Sequence, residues 1–223
     1  MDIKKLLKSV LLVTPLMASA AYALPVLQIG PDPLDSGATY DATTETWMFT
    51  GGSSFSFNVY TTGETGLTAY IVLAAVPMTT TDDFDVTVSD DNGALAMTSS
   101  GYGTPPFEDP NSLAPHDIYA TWSEIYQITF DGAQTTIGNT QPGDTGTGLG
   151  YWETVTVDIS SLTVSGIHID MFTADYSADK DKDIVTAFAP FSHDGQYVVP
   201  VPAAVWLFAS GLLGLVGVAR RRS

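Results

Sequence analysis

Apolar and polar residues alternate in short runs through the middle of the chain, a period of two that marks strands with one buried face. In Ser54-Phe55-Ser56-Phe57-Asn58-Val59-Tyr60, the residues Phe55, Phe57 and Val59 share one face while Ser54, Ser56 and Asn58 share the other. Phe84–Val88, Glu124–Phe130 and Trp152–Ile159 repeat the pattern. Leu67–Val76 is apolar almost throughout, which predicts a strand buried on both faces and ended by Pro77. Turn chemistry separates these runs at Gly51-Gly52, Thr62-Gly63, Asp91-Asn92-Gly93 and Asp131-Gly132. Asn139–Gly150 and the proline-rich Ser100–Asp117 read as two long loops. With no helical period in the body, the expected fold is all-β: an antiparallel β-sandwich of jelly-roll or immunoglobulin-like type.

Both ends break the alternation. Lys4, Lys5 and Lys8 precede an apolar stretch from Val10 to Met17, and Ala21-Tyr22-Ala23 forms an A-x-A site, so residues 1–23 read as a secretory signal peptide. Cleavage is expected after Ala23, with Ala18-Ser19-Ala20 as the alternative that would leave Ala21 first. At the other end, Val201-Pro202-Ala203-Ala204 leads into an uncharged run, Ala203–Ala219, followed by Arg220, Arg221 and Arg222. At 1.5 Å per residue the run is about 25 Å long, the short end of what crosses a hydrocarbon core of roughly 30 Å. Arginines resist entering lipid and stay on the cytoplasmic side, so a transmembrane helix over 203–219 would hold the preceding residues outside the inner membrane. The expected organisation is signal peptide 1–23, body 24–194, spacer 195–200 and tail 201–223.

Removing the two ends changes the charge picture. Of eight Lys and Arg only Lys180 and Lys182 remain, against all but one of 25 acidic residues, so the body carries a net charge of −22. Such a surface repels phosphate backbones and excludes nucleic acid as a partner. Cysteine is absent, although disulfides are permitted outside the cytoplasm, so the core, with or without help from a metal, must stabilise the body. The remaining length, about 175 residues, suffices for one domain that buries roughly 70% of its unfolded surface.

The tail resembles the PEP-CTERM family of sorting signals, in its VPLPA-type variant. The matching features are Val201-Pro202-Ala203-Ala204, the span with Gly211, Gly214 and Gly217, and the terminal arginines; Val-Pro-Val-Pro stands where the family has Val-Pro-Leu-Pro. The resemblance implies recognition and cutting by an exosortase after delivery by the Sec translocon and signal peptidase, with the body passed to the cell surface or secreted. Phe188-Ala189-Pro190-Phe191-Ser192-His193-Asp194, together with Leu24-Pro25-Val26-Leu27-Gln28 and Pro115-His116-Asp117-Ile118-Tyr119, resembles the choice-of-anchor N family of exported bacterial proteins. That likeness implies export and brings no catalytic residue.

Candidate chemistry in the body is sparse. Asp175, Asp179, Asp181 and Asp183 offer carboxylates at near-alternate positions, as the first half of a calcium loop does. Ile184 stands where the turn glycine would be and Pro190 where the bidentate acid would be, so calcium and a charged exposed loop both remain open; no other cofactor is expected. His168 and Asp170 share a face opposite Ile167, Ile169 and Met171 and read as solvent-side strand residues. His116 and His193 each precede an aspartate that could orient the ring. The chain has no Gly-x-Ser-x-Gly, no His-Glu-x-x-His and no phosphate-cradling glycine loop, so no catalytic residue is assigned. Trp47, Tyr102, Tyr119, Trp122, Tyr126, Tyr151 and Trp152 include loop-adjacent aromatics that could stack on sugars, although most should fill the core. The function expected is that of a non-enzymatic surface or extracellular-matrix protein of biofilm type, with a carbohydrate-binding or calcium-dependent adhesive module as the alternative and polysaccharide as a partner.

Overall fold

The alternating runs become the central strands of two sheets. A computed structural model describes residues 24–32, 37–77, 79–105, 120–177, 182–190, 193–199 and the positions 208, 210, 212 and 213. The six-stranded sheet A has the order β1 (Leu27–Pro31), β4 (Ser54–Thr61), β11 (Thr147–Asp158), β6 (Thr87–Asp90) and β7 (Gly93–Ala94), with β10 (Thr135–Gly138) paired to the start of β11. The eight-stranded sheet B runs β2 (Thr39–Asp41), β3 (Thr46–Phe49), β14 (Asp194–Val198), β12 (Gly166–Ser177), β5 (Leu67–Val76), β9 (Thr121–Phe130) and β8 (Ala96–Gly103), with β13 (Lys182–Phe188) on the second half of β12. Among the described residues every pairing is antiparallel except β14 with β3, which is parallel. The chain is all-β.

One core lies between the sheets, filled from both inner faces. Phe55, Phe57, Val59, Val155 and Val157 project from sheet A, and Ile71, Leu73, Ile128, Ile167, Ile169 and Tyr197 from sheet B. Phe55 stacks on Tyr197 with ring centroids 4.7 Å apart and planes 6° apart, tying the two layers together near Phe49 and Phe57. Burying one such ring stabilises the fold by about 2–3 kcal/mol. β5 matches its expected span and is buried on both faces: Ile71 and Leu73 enter the main core, while Val72 and Ala74 join Ile125 and Phe172 in a second cluster on the outer face of sheet B.

Several expectations shift. The segment read as a spacer, 195–200, is folded over most of its length, because β14 pairs with β12 and β3 and places Tyr197 in the core at 1% exposure. Gly195 has the look of linker punctuation; its bare backbone instead admits Phe49, whose ring carbon would lie 2.6 Å from an added Cβ. The loop expected over Asn139–Gly150 is shorter, since β11 begins at Thr147, and Ser100–Gly103 likewise belong to β8. At Gly150 a Cβ would meet the Thr61 carbonyl oxygen at 2.3 Å, so glycine there serves close packing within a strand. The strand expected over Phe84–Val88 starts only at Thr87. The Asp83 and Val86 carbonyls accept from Thr163 Oγ1 and the Tyr126 hydroxyl, replacing a ladder, while Phe84 and Val86 still reach the core.

Candidate ligand-binding cleft

β1 of sheet A lies against β3 and β14 of sheet B, and the loop from Asn139 to Gly146 crosses the same corner. Gly30 makes the crossing possible. An added Cβ there would meet Thr140 Cγ2 at 2.7 Å and the Tyr60 ring at 3.4 Å, so both side chains lie directly over bare β1 backbone. The result is a cleft of about 450 Å³ lined by Pro31, Trp47, Tyr60, Asn139, Gln141 and Asp144, among others. That volume is of the size that takes a small ligand.

The loop is held by side chains from the body rather than by its own turns alone. Gln28, fully buried, accepts from the Thr140 backbone N–H at 2.9 Å and donates to the Gly138 carbonyl at 3.4 Å, and the Thr140 hydroxyl donates to the Ile29 carbonyl at 2.8 Å. Asn139 Oδ1 accepts from the Gln141 backbone N–H at 2.9 Å and lies 2.7 Å from His193 Nε2, while Asn139 Nδ2 donates to Asp144 Oδ2 at 3.0 Å. This orientation of the amide makes His193 the donor, a neutral ring with its proton on Nε2. Burial drives the His193 pKa down to about 4, with Asp144 pulling weakly the other way, so the ring is neutral at ordinary pH. Burial raises the Tyr40 pKa, with the Gln141 side chain pulling the other way, and the Tyr40 ring meets Trp47 edge to face at 5.2 Å.

The walls are aromatic. Trp47 is half-buried with its indole nitrogen turned inward, so it offers the cleft ring carbon rather than its N–H. The Tyr60 hydroxyl accepts from Asn58 Nδ2 at 3.2 Å and retains its own proton to donate, because burial raises its pKa. Trp152 stands directly opposite Tyr60 across the β11 and β4 pair, on the same outer face of sheet A, and is 44% exposed. Trp47 and Trp152 are among the aromatics that stand out in the sequence; Tyr60 is not. A signal for it exists all the same: Tyr60 continues the polar parity of Ser54, Ser56 and Asn58, where a large aromatic is out of place.

A second polar group lies on the outer face of sheet B. His168 and Asp170, expected to face solvent, are 5% and 0% exposed, and Asp194 is fully buried with one carboxylate oxygen 3.8 Å from His168 Nε2. Alternation identifies their shared face correctly, but both side chains are buried there, on the face that also carries the apolar cluster of Val72, Ala74, Ile125 and Phe172. Burial pushes the Asp170 pKa up to about 8, against the opposing pull of the Met171 backbone N–H, which donates to its Oδ1 at 2.6 Å. His193 finds its partner in Asn139 rather than in its neighbouring aspartate.

Of the residues expected to bind calcium, Asp175 and Asp183 lie on described strands. Asp175 is an exposed residue of β12 in register with Ile184, and Asp183 lies in β13 in register with Tyr176, so the two are register positions of opposite parity. Asp179 and Asp181 fall outside the described residues, as do Ala21, Ala23, Val201, Pro202, Ala203, Ala204 and Arg220–Arg222. Among the described residues no group of three or more His, Cys, Asp or Glu is placed to hold a metal ion. Of the apolar run at 203–219, only Phe208, Ser210, Leu212 and Leu213 are described, each helical and exposed, and no described helix is long and apolar enough to cross a membrane.

No family model matches this chain. No curated protein matches it either. Among solved structures, the chain is similar to AvmM, which catalyses macrocyclization in alchivemycin A biosynthesis, at a TM-score of 0.38 and 11% identity over 79% of this chain and 89% of that one. It is also similar to the full-length major pilin SpaD of Corynebacterium diphtheriae, at a TM-score of 0.24 and 9% identity over 74% of this chain and 34% of that one.

Proposed function

We propose that the chain is an exported, non-enzymatic protein of the cell surface or extracellular matrix, sorted by an exosortase through its C-terminal tail. The observation that carries this reading is the fixed order of three features: Val201-Pro202, the uncharged run 203–219 and the arginine cluster 220–222. A positively charged, apolar N-terminal segment ending in Ala21-Tyr22-Ala23 fits entry into the same route. The body suits it as well. Its last described strand closes at Val198, and the Val199 backbone N–H still bonds the Ser165 carbonyl, so a cut near the prolyl motif would remove no described strand. On this reading the body is a β-sandwich of the jelly-roll kind, favoured by the repeated crossing of the chain between sheets, as from β4 to β5, β5 to β6, β9 to β10 and β11 to β12.

Deleting Val201–Ser223 tests the sorting role. The shortened protein should leave the membrane fraction of its host and change its surface display while melting at the temperature of the parent; unchanged fractionation refutes the role assigned to the tail. The aromatic cleft favours a second property of the same body, contact with carbohydrate.

A further inference from the structure

We propose that the corner cleft and the adjoining outer face of sheet A bind a neutral oligosaccharide, seated between Trp47 and Tyr60 and continuing over Trp152. The inference adds a ligand to the exported-protein reading and relies on that reading only for access to extracellular glycan. Three observations support it.

The first is the kind of surface. Sugar rings carry C–H faces that pack on aromatic rings and rims of hydroxyls that need hydrogen-bond partners. Trp47 and Tyr60 supply ring surface, while the Tyr60 hydroxyl can donate and the Asp144 carboxylate, which lines the same cleft, can accept. The second is charge. The cleft residues named above include one ionisable acid, Asp144, and no cation, and the body around them is strongly acidic. An anionic polysaccharide would meet repulsion and no compensating Lys or Arg. The third is order. Gln28, Thr140, Asn139 and His193 fix the loop through hydrogen bonds of 2.7 to 2.9 Å, so the cleft is formed before any ligand arrives and little ordering cost falls on binding.

The extension onto Trp152 follows from register. Trp152 and Tyr60 are direct cross-strand partners on one face, and neighbouring strands lie about 4.8 Å apart, a spacing comparable to the advance of one sugar ring along a glycan. An oligomer leaving the cleft across the strands therefore meets a second exposed ring. This makes affinity depend on chain length. A monosaccharide occupies the cleft alone, whereas a longer oligomer also covers Trp152.

The test is titration of the purified full-length chain, in a zwitterionic detergent free of sugar headgroups, with neutral glucan, mannan and galactan oligomers of increasing length. Polygalacturonate serves as the anionic counterpart. At least one neutral series should bind, with affinity rising with length and with no binding of polygalacturonate. Trp152→Ala changes an exposed side chain and should abolish the gain with length while leaving the shortest ligand's affinity unchanged. Tyr60→Ala should weaken every ligand about tenfold or more, and Tyr102→Ala, on the exposed β8 of the other sheet, should change nothing. Melting temperatures of all variants separate lost binding from lost folding. Failure of all neutral series to bind, preference for the anionic polymer, or a length dependence that survives Trp152→Ala overturns the proposal. Each of these results leaves the sorting role untouched, because that role is read from fractionation.

Discussion

Acidifying the protein should weaken it at one identifiable place, the buried ring of His193. In the folded state burial holds its pKa near 4, whereas the unfolded chain protonates it near 6.5. Below pH 6.5 the unfolded state takes up a proton that the folded state refuses, so stability contributed by the neutral ring is complete above that pH and is lost as pH falls toward 4. The gap is worth roughly 3 kcal/mol, a large share of the 5–15 kcal/mol that ordinarily holds a domain together. For a chain of this size that corresponds to a fall in Tm of roughly 6–12 °C. Other buried acids, Glu124, Glu153 and Asp170, have raised pKa values and change stability in the opposite direction over part of the range. The informative quantity is therefore a difference between proteins. His193→Gln keeps an N–H near the position of Nε2 that can donate to Asn139 Oδ1 but cannot titrate. Thermal unfolding followed by near-ultraviolet circular dichroism, from pH 7.5 to pH 4, should show the parent's advantage over the variant shrinking by about 3 kcal/mol. A difference that stays constant across that range refutes both the neutral ring and the burial assigned to it.

Two further perturbations probe the packing and the second polar group. Gly150→Ala should cost about 1–3 kcal/mol, because the new Cβ would press on the Thr61 carbonyl and on Ile137; Gly52→Ala, which meets nothing within 4 Å, should leave the melting temperature unchanged or slightly raised. Asp170→Asn keeps an oxygen to accept from the Met171 N–H and removes a carboxyl whose folded pKa is raised to about 8. The parent loses stability as pH rises from about 4 to 8, so the variant's stability relative to the parent should climb steadily across that window, and a flat difference would show that Asp170 is not held protonated.

Strands with a strict period of two are legible in the amino-acid sequence itself: Phe55, Phe57 and Val59 face the core, and Leu67–Val76 is buried on both sides because two clusters claim it. Period alone assigns a face but not what covers it, so His168 and Asp170 fall where alternation puts them relative to Ile167 and Ile169, yet away from the water it implies. Glycine misleads in another way. Gly148, Gly150 and Gly195 suggest loops and a spacer, whereas the last two stand where backbone or a ring approaches too closely for a Cβ. The cleft is only half legible. Trp47 and Trp152 draw notice as aromatics, but pairing Trp152 with Tyr60 needs the register of β11 on β4, and the loop's anchoring needs Gln28 and His193 to meet residues more than 50 positions away. Such distant partners leave no local pattern.

The measurement closest to the central claim is the intact mass of the protein recovered from its native host. The account predicts a chain that begins at Leu24 or Ala21, ends near Val201 and is found outside the inner membrane. A full-length 223-residue chain in the cytosol, with both ends uncut, would contradict it.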